Sequence, residues 1–172
     1  MQISLKPGPI IAIWLPGFAF LMFLVLSLND WNIPELLKTI QPSIGFWAAV
    51  AFIAIAFVIG QFLDAARDVF LENLLFARFC GQVKWEFFLE AKKEAIENLE
   101  DWYYTWYEMD ANIVMAILFA SILGVFKLVS INCLTWILML IVGFFFFYDA
   151  FELRLWTKKM VDHYYANQNR AA

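Results

Sequence analysis

Polar residues capable of chemistry cluster in one short part of an otherwise apolar sequence. Asp64, Asp68 and Glu72 follow one another at intervals of four, with Gln61 before them and Arg67 among them. Side chains three or four residues apart are neighbours on a helix, so the three carboxylates would share one face. Carboxylates at a membrane boundary attract cations in pores and relay protons in transporters. The spacing therefore predicts a polar cluster that could line the mouth of a pore.

The same acidic face has a second interpretation that the sequence leaves open. The helix could already have left the bilayer, with its carboxylates in water or paired with Arg67, Arg78 or Arg154. Asp149 extends the candidate cluster, because it ends a long apolar stretch and could pair with Arg154 or Arg67. Either interpretation uses the carboxylates for electrostatics, not for covalent chemistry.

No other pattern assembles a reaction centre. The sequence offers neither a nucleophile with its base, nor a phosphate-binding loop, nor paired histidines, since His163 is the single histidine. Cys80 and Cys133 fall in segments expected on opposite sides of the bilayer, which disfavours a disulfide. We therefore expect no enzyme activity, no cofactor and no metal. Because 16 acidic residues outnumber 12 basic ones, we also expect no nucleic-acid partner.

The composition defines the elements that must position these residues. Of the 172 residues, 63% are hydrophobic and 16% are charged, whereas soluble domains average about 45–50% apolar and about 25% charged residues. A chain this short buries only roughly 70% of its unfolded surface. The excess apolar surface must face lipid, so the bilayer itself is an expected partner.

An uncharged run needs about 20 residues to cross a bilayer as a helix. Four such runs can be laid out along the sequence. The third and fourth runs share one stretch that only Lys127 interrupts, and we divide it near residues 130–132. The predicted spans are about 9–28, 43–63, 111–130 and 132–150. The predicted fold is therefore an all-α integral membrane protein with four transmembrane helices, forming a single domain over residues 1–172.

Two helical extensions are expected outside the bilayer. A helical hairpin over about 64–110 would extend spans two and three, turning near Cys80 and Gly81, and a C-terminal helix over about 151–166 would extend span four. In the hairpin, large apolar residues recur at steps of three and four and form a stripe that something must cover. The residues that we expect to bind a partner are Trp85, Phe88, Ile96, Leu99, Trp102 and Trp106.

Charge bias predicts the orientation. An even number of spans places both termini and the central segment on one side, and that side holds all of the 12 basic residues except Lys38 and Lys127. The positive-inside rule then puts both termini in the cytoplasm of a bacterial inner membrane.

Small residues predict where the helices approach closely, because lipid provides no hydrophobic drive for helix association. We expect them to serve packing within the chain or a homo-oligomer. The two series, at intervals of four, are Ala56 and Gly60 in the second span and Ala116, Ala120 and Gly124 in the third. In the first span Pro16 and Gly17 should kink the helix, because proline removes a backbone hydrogen bond.

The favoured hypothesis is a non-enzymatic inner-membrane protein that self-associates and anchors or signals to a soluble cytoplasmic protein. The alternatives are an oligomeric ion-conducting pore or membrane-disrupting effector, and a toxin-immunity protein or accessory subunit of a larger membrane complex. In span count and cytoplasmic extensions, the chain resembles the small membrane subunits of two-component bacterial antiphage systems, Kiwa-type ones among them. That resemblance implies a membrane oligomer carrying a cytoplasmic effector, and it is a resemblance of architecture, not of motif.

Overall fold

The computed structural model describes residues 7–28, 32, 45–84, 86–87, 91–99 and 103–171. Within these ranges every regular element is helical. Four helices are long and apolar enough to cross a membrane, which makes this a multi-pass membrane protein in character and agrees with the four predicted spans. Lys38, which was predicted on the side opposite the termini, lies outside the described residues. So do Trp85, Phe88 and Trp102 of the predicted partner stripe.

The helices follow the apolar runs, with shifted ends. Helix α1 spans Pro7–Leu28 and continues through Pro16, and helix α2 spans Phe46–Arg67. A π-helical segment, Asp68–Phe76, extends α2 and leads into the short helix α3, Ala77–Phe79. The chain then turns at Gly81, whose φ of 78° suits glycine.

Three further helices complete the chain. Helix α4 spans Lys93–Leu99, α5 spans Thr105–Val125 and α6 spans Cys133–Ala171. Helix α5 begins six residues before the predicted third span, so Asp110 lies inside it and is buried. The 39 residues of α6 extend about 58 Å at 1.5 Å per residue, which exceeds the roughly 30 Å of a hydrocarbon core.

Helix α5 is the centre of the bundle. It packs against α1 and α2 on one side and against α6 on the other. One apolar core forms around Leu63, Phe76 and Tyr107, where Phe76 contacts the rings of Phe147 and Phe151 at centroid distances of 5.9 and 6.0 Å. The aromatic contacts join the π-helical segment to α6.

A second, smaller core lies beyond the bundle. Val83, Phe87, Leu99 and Val161 are buried together there, and Tyr164 and Tyr165 pack against them. The far part of α6 therefore packs with Val83, Phe87 and Leu99, the last of which belongs to the predicted partner stripe.

Helices α1 and α2 touch backbone to backbone. A Cβ added at Gly60 would lie 2.2 Å from the carbonyl oxygen of Ile13, and one added at Gly17 would lie 2.1 Å from that of Ala56. Such distances leave room for hydrogen only, which is why small residues occur at this crossing.

Replacing Gly60 with alanine should therefore destabilise the bundle. We expect Gly60→Ala to lower the unfolding temperature in detergent, at a cost of about 1–3 kcal/mol for an overpacked contact. Gly143→Ala is the matched control, because its Cβ would make ordinary contacts of 3.4 Å or more with Ile117. Equal thermal stability of the two variants would contradict the close crossing.

Candidate functional site

Polar and charged side chains meet at one end of the bundle and connect all four long helices. We call this set the polar layer and the end that contains it the polar end. The members of the polar layer are Asp64, Arg67, Asp68, Glu72, Tyr107, Glu108, Asn112 and Arg154.

Arg67 is the first centre of the polar layer. Its side chain is 3% exposed, and its Nη1 lies 2.9 Å from Asp64 Oδ1 and 3.6 Å from Glu108 Oε1. Its Nη2 donates to Asp68 Oδ1 at 2.7 Å. The guanidinium also lies over the ring of Tyr107, 5.8 Å from the centroid. One buried arginine of α2 thus contacts α5 through the carboxylate of Glu108 and the ring of Tyr107, while Asp64 and Asp68 bind it from its own stretch of chain.

Arg154 is the second centre. Its Nε donates to both oxygens of Glu72 at 3.0 Å, and its Nη2 lies 3.0 Å from Glu72 Oε2. The hydroxyl of Tyr107 donates to Glu72 Oε1 at 2.8 Å. Glu72 is therefore bound from α5 and from α6 at once, and the carboxylate neutralises an arginine that is 1% exposed.

Asn112 extends the layer to α1. This fully buried amide donates from Nδ2 to Asp64 Oδ1 at 3.1 Å and to the carbonyl oxygen of Ala12 at 3.2 Å. A buried polar side chain is expensive unless it is hydrogen-bonded, so this contact fixes the rotation of α1 relative to α2 and α5.

Helix geometry gives the depth of the polar layer. Asp64 lies 18 residues after the start of α2, which corresponds to about 27 Å of helix. Asn112 lies 13 residues before the end of α5, or about 20 Å along its axis. The polar layer therefore lies at the far boundary of a hydrocarbon core that is roughly 30 Å thick.

The three predicted carboxylates differ in burial and in partner. Asp68 is exposed and pairs with Arg67, whereas Glu72 is buried and is bound by Arg154 and Tyr107. These ion pairs match the second interpretation of the acidic face. Gln61 and Asp149 are exposed, and Asp149 contacts the buried carboxyl of Asp110 on α5.

Sequence reasoning missed several members of the layer. Tyr107 and Asn112 gave no charge signal, and Glu108 was not considered for the cluster. Arg154 was anticipated as a partner of the acidic face, and Glu72 is the carboxylate that it binds. A polar residue within an apolar run was the signal that could have identified Asn112, which lies in the third run.

The polar end also carries two groups outside the spans whose titration is shifted. Burial raises the pKa of the Cys80 thiol, which lies near Arg154 and Glu72. Burial, together with the nearby carboxylate of Glu108, raises the pKa of the Tyr104 phenol. Both groups stay neutral at physiological pH, so neither is an activated nucleophile.

The predicted packing residues take part in contacts within the chain. Ala56, Ala116 and Ala120 are buried, Gly60 meets α1, and Gly124 lies under Ile131 and Trp136 of the following turn and helix. The predicted partner stripe is divided: Leu99 is buried, Ile96 is partly buried and Trp106 is 50% exposed.

Among the described residues, no group of histidine, cysteine, aspartate and glutamate side chains has the geometry to hold a metal ion. Comparison with known proteins gives no match to a protein family, to a curated protein or to a solved structure. The polar layer is therefore interpreted from its own chemistry, which is that of a clamp between helices.

Removing one partner of the Glu72–Arg154 pair should be costly, since it leaves a buried charge uncompensated. We expect Glu72→Gln or Arg154→Met to destabilise the protein by about 3–5 kcal/mol, measured as thermal unfolding in detergent. The double variant Glu72→Leu with Arg154→Met should recover much of that loss, because both charges are gone.

The exposed pair Lys93–Glu97 on α4 provides the control. Lys93→Gln should cost less than about 1 kcal/mol, because water screens the pair. If Glu72→Gln cost no more than Lys93→Gln, the clamp would be refuted.

Proposed function

We propose that the chain is a non-enzymatic multi-pass protein of the bacterial inner membrane that self-associates and anchors or signals to a soluble cytoplasmic protein. The observation that carries the proposal is the continuity of α6. This helix begins in the apolar bundle, contributes Arg154 to the polar layer and reaches the second core at Val161. A single stiff element thereby joins the membrane part to a packed unit outside it.

The polar layer supports an anchor more than a catalyst or a pore. Both of its arginines are bound by carboxylates at distances near 3 Å. Charges that are committed to one another stabilise a fixed arrangement of helices. An ion pathway instead needs charges or carbonyl groups that face a conduit.

Self-association is supported by polar residues on the surface of the single chain. Gln61 and Asp149 are both exposed, and each lies about 22–24 Å along its helix from the end opposite the polar layer. Polar residues at this depth almost always face protein or a water-filled cavity instead of lipid. A second copy would cover them.

Orientation and biological setting are part of the same proposal. Most of the basic residues belong to the polar end and its extensions, which supports a cytoplasmic position for that end and for both termini. The resemblance in architecture supports a role as the membrane subunit of a bacterial antiphage defence system.

Affinity purification in detergent followed by native mass spectrometry tests the proposal, because it reports copy number and any soluble protein that co-purifies. We expect an oligomer with a bound soluble protein. Gln61→Leu should lower the copy number, since it removes the polar group that a second copy covers, whereas Val58→Leu, at an exposed apolar position on α2, should not.

The partner arm of the experiment uses tryptophans. Trp106→Ala should reduce recovery of the soluble protein, whereas Trp47→Ala, which changes an exposed tryptophan at the opposite end of the bundle, should leave it intact. A strictly monomeric chain that brings down no other protein would contradict the proposed function.

A further inference from the structure

An apolar groove lies on the surface of the bundle, away from the polar layer. Helices α1 and α6 both pack against α5, and a space of about 190 Å³ remains between them. Its walls are almost entirely apolar, and its floor is formed by small side chains of α5. The residues that shape it include Ala19 and Phe23 of α1, Ala116 and Ala120 of α5, and Met139 and Val142 of α6.

The position of the groove along α5 indicates that lipid chains surround it. Ala120 and Ile113 both line the groove, five and twelve residues before the end of α5, which corresponds to about 8 and 18 Å along the helix axis. Most of the groove therefore lies in the half of the hydrocarbon core opposite the polar layer, and its inner limit, Ile113, adjoins Asn112. The surrounding medium is acyl chain.

The size of the groove selects among hydrocarbon occupants. An apolar cavity of about 150 Å³ binds a benzene ring, so a space of about 190 Å³ accommodates a short stretch of acyl chain. A helix with its side chains is about 10–12 Å across and is too wide to enter.

A lysine lies at the end of the bundle where α5 ends. Within the described ranges 7–28, 45–63 and 111–148, Lys127 is the one charged side chain. It is exposed, and it has a φ of 56°, a left-handed conformation that glycine or asparagine usually adopts after a helix. Its position is about 10 Å beyond Ala120 along the helix direction.

The turn that carries Lys127 is held firmly. The amide of Leu128 donates to the carbonyl of Leu123 at 2.9 Å, and Ile131 and Trp136 pack onto the backbone at Gly124. Trp136 is of the type that anchors at membrane interfaces. The backbone at Lys127 is therefore held in place, and its exposed side chain carries the charge just after the end of α5 that is nearer to Ala120 of the groove.

We propose that the groove and Lys127 together bind one phospholipid with a net negative headgroup. One acyl chain occupies the groove, and the headgroup phosphate pairs with the ammonium group of Lys127. The apolar walls bind the chain of any phospholipid, and the lysine adds the preference for negative charge. This site is independent of the proposed function at the polar end.

The full-length protein, reconstituted in nanodiscs with equal amounts of phosphatidylglycerol and phosphatidylcholine of identical chains, tests the proposal. Native mass spectrometry of the released protein should show retained phosphatidylglycerol favoured about fivefold, the effect of one lysine near an anionic headgroup. Lys127→Gln should abolish the preference, whereas Lys127→Arg should keep it. Lys159→Gln, an exposed position on the far part of α6, is the charge control and should also keep it.

Filling the groove tests the acyl-chain part. Ala19 lines the groove and is exposed, so Ala19→Leu should reduce retention of both lipids severalfold without disturbing the core. Ala51→Leu, at an exposed position on α2, is the matched control and should change nothing. Equal retention in these two variants, or a preference that survives Lys127→Gln, would overturn the proposal. A dimer that Ala19→Leu dissociates would also overturn it, because a second copy would then occupy the groove.

Discussion

Two buried arginines at the polar end of the bundle restrict how the four long helices can be arranged. An arginine cannot lose its charge at physiological pH, and burying a charge without a partner costs several kcal/mol. Arg67 and Arg154 therefore require carboxylates at fixed positions, which α2, α5 and the π-helical segment supply. The positions of the carboxylates in the polar layer match these two cations.

The contrast between the two carboxylates of the π-helical segment reflects these two pairings. Asp68 lies beside Arg67 near the surface, whereas Glu72 is buried between Arg154 and Tyr107. The aromatic contacts of Phe76 then tie the same segment to α6.

The sequence was sufficient for the features that depend on local hydrophobicity. Uncharged runs located the four long helices, and the glycine at position 81 located the turn after α3, because both signals are local. Contacts between distant segments could not be predicted from local hydrophobicity. The residues around Asn112 do not indicate that its amide donates to Asp64 and to the carbonyl of Ala12. The acidic spacing left two interpretations open for the same reason, since the pairing of Glu72 with Arg154 joins residues of different helices.

Hydrogen–deuterium exchange of the full-length protein in nanodiscs tests most directly whether the polar layer clamps the bundle. If Glu72 is held between α5 and α6, backbone amides of the segment Asp68–Phe76 should exchange nearly as slowly as those in the middle of α5, because opening the segment requires separating the ion pair. The short helix Lys93–Leu99, which carries exposed charged residues, should exchange much faster. Exchange of the Asp68–Phe76 amides as fast as those of Lys93–Leu99 would show that the acidic segment is a solvated extension of α2 and would contradict the account.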